Sequence, residues 1–412
     1  MAPTPLTLAE ARTIARRVSP DLRAAREAVT AAEARARQAG AFPNPTLAYS
    51  HERTSRDGAT NAQHVAALEQ PLDFLGQRAA RRDAASLRTA AARARFDLAR
   101  TELDFAVTRA FAHALAAERQ AALASRMADA FGEARRVSGA RLAAGDVSGY
   151  ADRRLRLEAA RYAALAAAAM LARDSARVTL ATLLADSAGG LPPLAATALV
   201  LDARALDSLA AAPLPPPPAA PGVAADSLQV LALARRAELR VAQLERDAAA
   251  AGIRLARSER LPIPVVSAGL KTERTPDGDG FRGLVAGVTL PLPLWDRREG
   301  AVAAAEADAR VLDAELAALR LRVAREVATA LAASQAVEAQ LAALGPRVTE
   351  DTETALRAVR VAYDEGEITL VEWLDAVRAY QDAQAAVTAL QAESLIRRAA
   401  LERAVGAPLS ED

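Results

Sequence analysis

The feature that most constrains how this chain can fold is an internal duplication. Three landmarks of the first half recur in the second, in the pairs Pro43 and Pro262 before extended runs, Arg78 and Arg297 after bends, and Gly145 and Gly366 in turns. The members of the first two pairs are 219 positions apart, and those of the third pair are 221 positions apart. Chance matches would not keep a common register, and solenoid repeats have much shorter periods, of roughly 20–50 residues. The chain is therefore predicted to consist of two equivalent halves.

A proline-rich segment separates the two halves. Residues 213–222 contain six prolines, and proline lacks the backbone N–H and fixes φ, so an extended spacer is predicted there. The sequence thus divides into a first structural repeat (1–212), a proline-rich linker (213–222) and a second structural repeat (223–412). The wider stretch 187–226 has little regular pattern, and it is compatible with either a disordered linker or a structured belt.

Each half is predicted to contain a helix, two strands, a very long helix, a tight turn and a shorter helix. Apolar spacing and turn-forming residues give the limits of these elements. In the first half, the predicted elements are helices at 8–38, 77–143 and 147–185, and strands at 46–53 and 64–72, with a polar loop at 54–61. In the second half, they are helices at 224–257, 295–364 and 367–405, and strands at 264–272 and 281–290, with a loop at 276–280.

The lengths of the helices fit together. A helix of about 67–70 residues is roughly 100 Å long, which is more than a single globular domain needs. The two shorter helices of each half add up to nearly the same length, so stacked end to end they could run antiparallel to the long helix. Aromatic residues make up only 3% of the chain, and its abundant alanines favour helices and let them approach closely. A long helical barrel or bundle is predicted.

The four strands require a separate explanation. Isolated hairpins are marginally stable in water, and their open edges invite aggregation. Three copies of the chain would supply twelve strands, and a closed barrel satisfies every backbone polar group in a bilayer. Ser50, Glu52, Glu69 and Lys271 are then expected to face the lumen or the membrane interface. The predicted fold class is mainly α with a small β part, with duplicated long helical hairpins forming a tunnel and four transmembrane strands per protomer.

Composition excludes several classes of protein. The chain has no cysteine, which excludes disulfides, thiolate metal sites and a cysteine nucleophile. The 52 basic residues are balanced by 51 acidic ones and form no single block, so no nucleic-acid surface is expected. The sequence has no nucleophile–base pair and no phosphate loop, so an enzyme is not expected and no cofactor is implied. His51, His64 and His113 have no ligand spacing, and no metal site is predicted.

Two observations bear on the route to a membrane. No stretch reaches roughly 18–20 uncharged apolar residues, so no membrane-spanning helix is predicted. The first five residues, Met-Ala-Pro-Thr-Pro, lack the charged and apolar regions of a signal peptide. The sequence is therefore expected to be either a mature form with an added methionine or a chain that is not exported.

Three duplicated motifs resemble those of one known family. They are Pro43-Asn44-Pro45 before the first strand, Gly76-Gln77-Arg78 before the long helix, and the glycine turns at Gly145 and Gly366. In this order they resemble the TolC-like outer membrane factor family over essentially the whole chain, and the first bend and turn are most similar to its CzcC-like heavy-metal branch. The resemblance implies a homotrimer with a barrel in outer-membrane lipid and a helical tunnel in the periplasm.

The resemblance also implies partners. Such a duct docks to a periplasmic adaptor (membrane fusion) protein and an inner-membrane pump, usually of the resistance–nodulation–division type. It would serve a tripartite efflux system or a type I secretion system as a passive exit for metal cations or drugs. The pump would supply the energy and largely select the substrate.

Two sets of site residues follow from the resemblance. The gate residues, which would line the periplasmic entrance of the tunnel, are Glu372, Asp375 and Tyr363. The tip residues, which would flank the contact with the adaptor, are Leu142, Ala144, Gly145, Val147, Glu365, Gly366 and Ile368.

The acidic gate residues are three positions apart and share a helix face. Threefold symmetry would turn Glu372 and Asp375 into two rings of carboxylates that attract cations. An ordinary solvated helix face is the alternative interpretation of the same pair. Two positions depart from the family pattern, because Ala151 stands where an acidic partner of Tyr363 is usual and Ile368 where some members have an arginine.

Two other classes of protein share some of these features. A soluble, elongated helical scaffold or coiled-coil interaction protein also uses alanine-rich helices and balanced charge, but it does not explain strands placed symmetrically between helices. A periplasmic adaptor has one helical hairpin with β-rich domains, and the duplication does not fit it.

Overall fold

The computed structural model describes residues 6–73, 75–185, 225–365 and 367–409, and all side chains among these except those of residues 56, 345–357, 360 and 364. In chain order the elements are α1 (Leu8–Val18), α2 (Pro20–Ala39), β1 (Thr46–Arg56), β2 (Ala59–Pro71), α3 (Gln77–Ala144), α4 (Gly149–Leu184), α5 (Ala225–Arg235), α6 (Ala237–Ser258), β3 (Val265–Arg274), β4 (Gly280–Thr289), α7 (Glu299–Asp364) and α8 (Leu370–Val405). The described part of the chain is mainly helical with one small sheet, as predicted. The predicted linker at 213–222 lies outside the described residues.

The first helix is interrupted, so the prediction of one helix over 8–38 is wrong. Helix α1 begins at a capping box, in which Thr7 Oγ1 accepts a hydrogen bond from the Glu10 N–H (3.2 Å) and the Glu10 carboxylate accepts one from the Thr7 N–H (2.8 Å). Pro20 has no N–H to continue this helix, and its fixed φ suits the first position of a new one. Helix α2 therefore begins at Pro20.

The second half has a break at the equivalent place without a proline, so the prediction of one helix over 224–257 is also wrong. Arg236, which separates α5 from α6, is 5% exposed, and its guanidinium pairs with Glu326. Gly406, at the left-handed end of α8, lies so close that a Cβ there would be 2.9 Å from the Cα of Arg236. The close approach of these two backbones requires glycine at the end of α8.

The two long helices match the prediction closely. Helix α3 contains 68 residues and α7 contains 66, so each is roughly 100 Å long. Helix α7 begins at Glu299, later than the predicted residue 295. The Asp296 side chain accepts a hydrogen bond from the Arg298 N–H (2.8 Å), and Arg298 takes a φ of 55°, which a right-handed helix does not allow.

One helical stretch comes closer to a membrane-spanning composition than the sequence analysis predicts. Among the described residues, Glu299–Leu344 of α7 contains an 18-residue window with a mean hydropathy of 1.2. Length and hydropathy alone do not identify a membrane-spanning helix, because the core helix of a soluble protein passes the same test. The same stretch also carries Arg320, Arg322 and Arg325.

The four strands form one antiparallel sheet in the order β1-β2-β3-β4, so the two halves of the chain meet where β2 pairs with β3. The predicted loop at 54–61 is wrong, because Thr54 pairs with Asn61 and extends both strands toward the turn. The chain reverses at Asp57-Gly58, whose φ values are 52° and 81°. Two positive φ values are typical of the two-residue turn that matches the twist of a hairpin.

The sheet has an apolar face and a polar face, because side chains alternate along each strand and the register aligns them across strands. The apolar face carries the exposed side chains of Leu47, Tyr49, Leu68, Leu270, Leu284 and Val288. Toward the two hairpin turns the same face carries His51, His64, Arg53, Arg274 and Arg282. The polar face carries Ser50, Glu52, Gln63, Glu69, Lys271 and Glu273. Large exposed apolar surfaces mark contacts with a membrane or with another protein.

The chain forms two compact units, and each takes segments from both halves. The sheet unit consists of Ala25–Phe96 and Ala237–Arg320. The turn unit consists of Met1–Ala24, Asp97–Arg236 and Leu321–Asp412, and its described residues include both connections between a long and a short helix.

Candidate functional site

The connection between α3 and α4 is a Schellman turn at Gly145. Gly145 has a φ of 86°. Its N–H donates to the carbonyl of Leu142 (3.1 Å), and the N–H of Asp146 donates to the carbonyl of Arg141 (2.9 Å). These two bonds satisfy carbonyls that the end of a helix would otherwise leave unpaired. Ser148 then caps α4 by accepting a hydrogen bond from the N–H three residues later (3.2 Å).

The connection between α7 and α8 repeats this arrangement. The N–H of Glu367 donates to the carbonyl of Ala362 (2.8 Å). This bond is the counterpart of the bond from Asp146 to Arg141 in the first turn. Thr369 caps α8 and forms a capping box with Glu372, because Thr369 Oγ1 accepts from the Glu372 N–H (3.3 Å) and the Glu372 carboxylate accepts from the Thr369 N–H (2.8 Å). Gly366, the predicted turn glycine, lies outside the described residues.

Replacing Gly145 by alanine is expected to loosen the first turn. A side chain in the left-handed region costs roughly 1–2 kcal/mol, and a Cβ on Gly145 would meet no described heavy atom within 4 Å, so the cost is backbone strain alone. Amide hydrogen exchange over residues 141–148 should become faster. Gly132→Ala is the control, because its surroundings within α3 are equally open and alanine suits a helix interior. Equal exchange in the two variants would contradict this interpretation of the turn.

The predicted tip residues lie around the two turns. Ala144 and Glu365 are exposed, and Leu142 and Val147 are half-buried. Ile368 is half-buried too, and it packs against an apolar cluster formed by the adjoining helices. A contact of these residues with an adaptor stays a prediction.

An aromatic cluster joins the four helices next to the turns. Phe131 of α3 is fully buried and stacks on Tyr162 of α4, with ring centroids 4.1 Å apart. The ring of Trp373, on α8, lies 5.1 Å from that of Phe131 and 5.3 Å from that of Tyr363, on α7. Together with Tyr380 these are five of the 14 aromatic residues of the chain, so scarce large side chains are concentrated here. That concentration is the signal by which sequence reasoning could have found the cluster.

Glu372, a predicted gate residue, stabilises the beginning of α8. Hydrogen bonds from the backbone N–H and then the hydroxyl of Thr369 hold the pKa of the exposed Glu372 carboxyl below its ordinary value of 4.5. Because the pKa is lowered in the folded state, this stabilisation is fully present above pH 4.5 and is lost as the pH falls through the lowered pKa. At neutral pH the side chain is therefore an exposed anion.

The other two predicted gate residues have different surroundings. Asp375 lies on the next turn of α8, with its side chain 65% exposed and its carboxylate 3.7 Å from Nη1 of Arg378. Tyr363 stacks on Trp373 within the aromatic cluster, with an angle of 19° between the ring planes. The structure thus places two carboxylates on the surface of one helix and the tyrosine against the packed core beside it.

Comparison with known proteins decides the family. The sequence profile described as Outer membrane efflux protein matches residues 12–186 and 228–407, which cover most of both halves. The chain belongs to the outer membrane efflux protein family. The resemblance predicted from the duplicated motifs is therefore confirmed, and the family consists of channels or ducts and not of enzymes.

Relatives of this efflux protein agree in sequence and fold. The cobalt-zinc-cadmium resistance protein CzcC of Cupriavidus metallidurans is 26% identical over 375 residues, which are 91% of this chain and 84% of CzcC. A membrane protein of Pseudomonas aeruginosa has a TM-score of 0.73 at 22% identity, over 97% of this chain and 93% of that one. The outer membrane protein VceC of Vibrio cholerae has a TM-score of 0.70 at 21% identity, over 98% and 97%. The predicted fold class is confirmed.

The acidic residue just after the first turn of this efflux protein points inward. Asp152 is 1% exposed, and its carboxylate accepts hydrogen bonds from Ser138 Oγ (3.2 Å) and Arg156 Nε (2.6 Å). Asp152 therefore does not replace, on the surface, the acidic side chain that is absent at Ala151.

A second buried carboxylate, which the sequence analysis did not single out, connects α4 with α8. Glu158 is 8% exposed, pairs with Arg378 of α8, and lies 3.6 Å from Arg161. Arg378 also faces Asp375. One arginine thus links a predicted gate carboxylate to the packing between the two helices.

Proposed function

We propose that this chain is one protomer of a homotrimeric outer-membrane duct, through which substrates leave the cell without chemical change. The two-faced sheet carries the proposal. Its exposed apolar face, with Leu284 87% and Leu47 74% exposed, suits contact with lipid. Its polar face suits an aqueous lumen, and this alternation is typical of membrane barrels.

The edges of the sheet support assembly from several copies. Strands β1 and β4 each pair with only one described strand, so each leaves one edge free. Hydrocarbon does not tolerate unpaired backbone groups, and pairing β4 of one copy with β1 of the next would remove both edges. The strands contain 10 to 13 residues, which is enough for a tilted strand of about 9–11 residues to cross a bilayer. Three copies are supported by the family resemblance, and four strands from each would make a barrel of twelve.

The turn unit is proposed to meet a periplasmic adaptor protein. The two Schellman-type turns present tightly bonded backbone and the small side chain of Ala144, so another helical hairpin can approach closely. Around them stand the other described tip residues, Leu142, Gly145, Val147, Glu365 and Ile368. An inner-membrane pump of the resistance–nodulation–division type would complete a tripartite efflux system, and a type I secretion system is the other assembly that the family resemblance implies. The name of CzcC supports metal cations as the substrate class.

The gate is proposed at the beginning of α8. Threefold repetition of Glu372 and Asp375 would make two adjacent rings of exposed carboxylates, and such rings concentrate cations at a constriction. The hydrogen bonds from Thr369 keep Glu372 ionised well below neutral pH. Tyr363 would anchor the gate to the aromatic cluster through its contact with Trp373.

Replacing Glu372 by glutamine and Asp375 by asparagine is expected to weaken block of the pore by divalent cations. Glutamine at this position keeps the hydrogen bonds of a capping box and removes the charge. In planar bilayers, half-block should need about tenfold more divalent cation. Glu372→Ala is the comparison, since it should weaken block and also speed amide exchange at the beginning of α8.

The outcomes of this experiment separate the gate from the duct. Unchanged cation block in the glutamine and asparagine variants would refute the gate, while conductance of the unmodified protein would still support the duct. A purified protein that inserts in bilayers without any conductance would refute the duct itself.

A further inference from the structure

The apolar face of the sheet ends in a basic region on the side of the two hairpin turns. Arg53 of β1 and Arg274 of β3 lie in one cross-strand row, with Ala62 of β2 between them. Arg282 of β4 lies in the next row, and the row after that contains Leu284. All three arginines are exposed. Three positive charges per chain therefore border the apolar part of this face.

The spacing of the three arginines allows their guanidinium groups to meet at one anion. Neighbouring strands are about 4.8 Å apart, so Arg53 and Arg274, two strands apart, have Cα atoms separated by about 10 Å. Arg274 pairs directly with Gly280, which makes Arg282 its diagonal neighbour at about 7–8 Å. The space between the arginines is open, because the intervening residues are only Ala62 and Gly280, and a Cβ on Gly280 would meet no described heavy atom within 4 Å.

The arginines have no acidic partner on their own face. Among the described residues, none of the three guanidinium groups forms an ion pair. Glu52 and Glu273 lie at the same height on the polar face, where Glu273 pairs with Lys271 (3.1 Å). The acidic residues of the two turns lie beyond the basic rows, and they are Asp57, Asp277 and Asp279. A surface with this charge distribution attracts an anion from outside the chain.

The two histidines beside the arginines are engaged within the first hairpin. His51 and His64 are direct partners in the strand register, and their rings stack with centroids 4.3 Å apart. Nδ1 of His51 lies 3.2 Å from the carbonyl oxygen of Gln63. Nδ1 of His64 lies 2.9 Å from Oη of Tyr49. Because one ring face and one ring nitrogen of each histidine are already in contact, the arginines are the groups free to bind an anion.

We propose that Arg53, Arg274 and Arg282 bind the phosphate of an anionic lipid headgroup. A guanidinium group forms paired hydrogen bonds with phosphate oxygens and keeps its charge outside bulk water. The stem of a long basic side chain packs on apolar surface while its charged end reaches the headgroups. The acyl chains of the same lipid would lie against the apolar rows that follow. A free phosphate would make only the first of these contacts, so the lipid is the occupant that fits the whole surface.

This inference rests on the proposed function, because it requires the apolar face to meet lipid. In the proposed duct the helices lie in the periplasm, so the hairpin turns face the outside of the cell and the bound lipid belongs to the outer leaflet. Pairing of β4 of one copy with β1 of the next would bring Arg282 of one copy close to Arg53 of the next. The basic rows would then continue around the barrel.

The test is a lipid titration of the purified full chain in a mild non-ionic detergent. Phosphatidic acid and, separately, phosphatidylcholine with the same acyl chains are added, and native mass spectrometry counts the lipids bound per chain. The phosphate of phosphatidylcholine is balanced by its choline, so half-occupancy should need about tenfold or more of it than of phosphatidic acid. Arg274→Gln should lower this preference about fivefold. Changing all three arginines to glutamine should abolish it.

Lys271→Gln is the matched control, because it removes one positive charge at the same height of the sheet, on the polar face. Its lipid preference should equal that of the unmodified chain. Arg274→Lys should give an intermediate preference, since lysine keeps the charge and loses the paired hydrogen bonds. Inorganic phosphate at the concentration of the lipid should not displace phosphatidic acid, because it lacks the acyl chains.

The outcomes separate this site from the duct. Equal binding of the two lipids by the unmodified chain, or an equal loss in Lys271→Gln and Arg274→Gln, would overturn the lipid site. Full displacement by inorganic phosphate would overturn it too, because the site would then bind a free anion. The same spectra give the number of copies in the assembly. A trimer without lipid preference would refute the site and leave the duct, whereas a monomer would refute the duct.

Discussion

Replacing Leu284 by arginine is expected to prevent insertion of the protein into the outer membrane. Leu284 is 87% exposed on the apolar face, at the middle of β4, so an isolated chain loses almost no packing by this change. In a bilayer, however, an arginine on the lipid face near the middle of a barrel costs about 2–4 kcal/mol per chain. Each copy in an assembly would bear that cost. The amount of protein in the outer-membrane fraction, and of oligomer that resists mild detergent, should fall severely.

Val285→Arg is the matched control for this experiment. Val285 is the next residue of β4, at nearly the same height, and its side chain belongs to the polar face. An arginine there would keep its hydration in a water-filled lumen, so insertion should continue. Equal insertion of the two variants would show that the apolar face does not meet lipid.

Replacing Phe131 by alanine is expected to be the most damaging single change in the turn unit. The ring is 0% exposed and contacts both Tyr162 and Trp373, and removal of a buried aromatic ring costs about 3–5 kcal/mol. The loss should appear as faster amide hydrogen exchange in the segments of α3, α4 and α8 that carry the cluster. Leu157→Ala on α4 is the control, because Leu157 is 71% exposed, and such a surface change usually shifts stability by less than about 0.5 kcal/mol. Similar exchange in both variants would show that the cluster does not hold these helices together.

The long helices and one strand face could be predicted from local patterns in the sequence. Both long helices are within a few residues of their predicted limits, because helix-forming residues predominate over more than sixty positions in each. The alternation of Leu284, Ala286 and Val288 also identified one face of β4 correctly. These features depend on local spacing, which a single sequence displays directly.

The errors in the fold arose where tertiary contacts override local pattern. Thr54 and Ser55 have the composition of a loop, but pairing with β2 makes them part of a strand. The break at Arg236 has no local signal, because it accompanies an approach by Gly406 from the far end of the chain. The signal for the break at Pro20 was present, and the helical pattern on either side concealed it.

Sequence reasoning located the two turns but not what supports them. It predicted Glu372 as a gate residue, and it did not predict that the same carboxylate closes a capping box with Thr369. The pairing of Glu158 with Arg378 joins residues 220 positions apart, and the opposition of His51 and His64 depends on a strand register. Contacts of this kind depend on the three-dimensional fold, and the spacing of residues along the sequence does not reveal them.

The mass of the purified protein in mild detergent tests the central claim most directly. A trimer of the 43.1 kDa chain, together with precipitation when the detergent is removed, is the result that this account predicts. Three sheets would then share their edges and turn their apolar faces toward the detergent. A monodisperse monomer that stays in solution without detergent would contradict the account, because one four-stranded sheet with two free edges cannot enclose a pore.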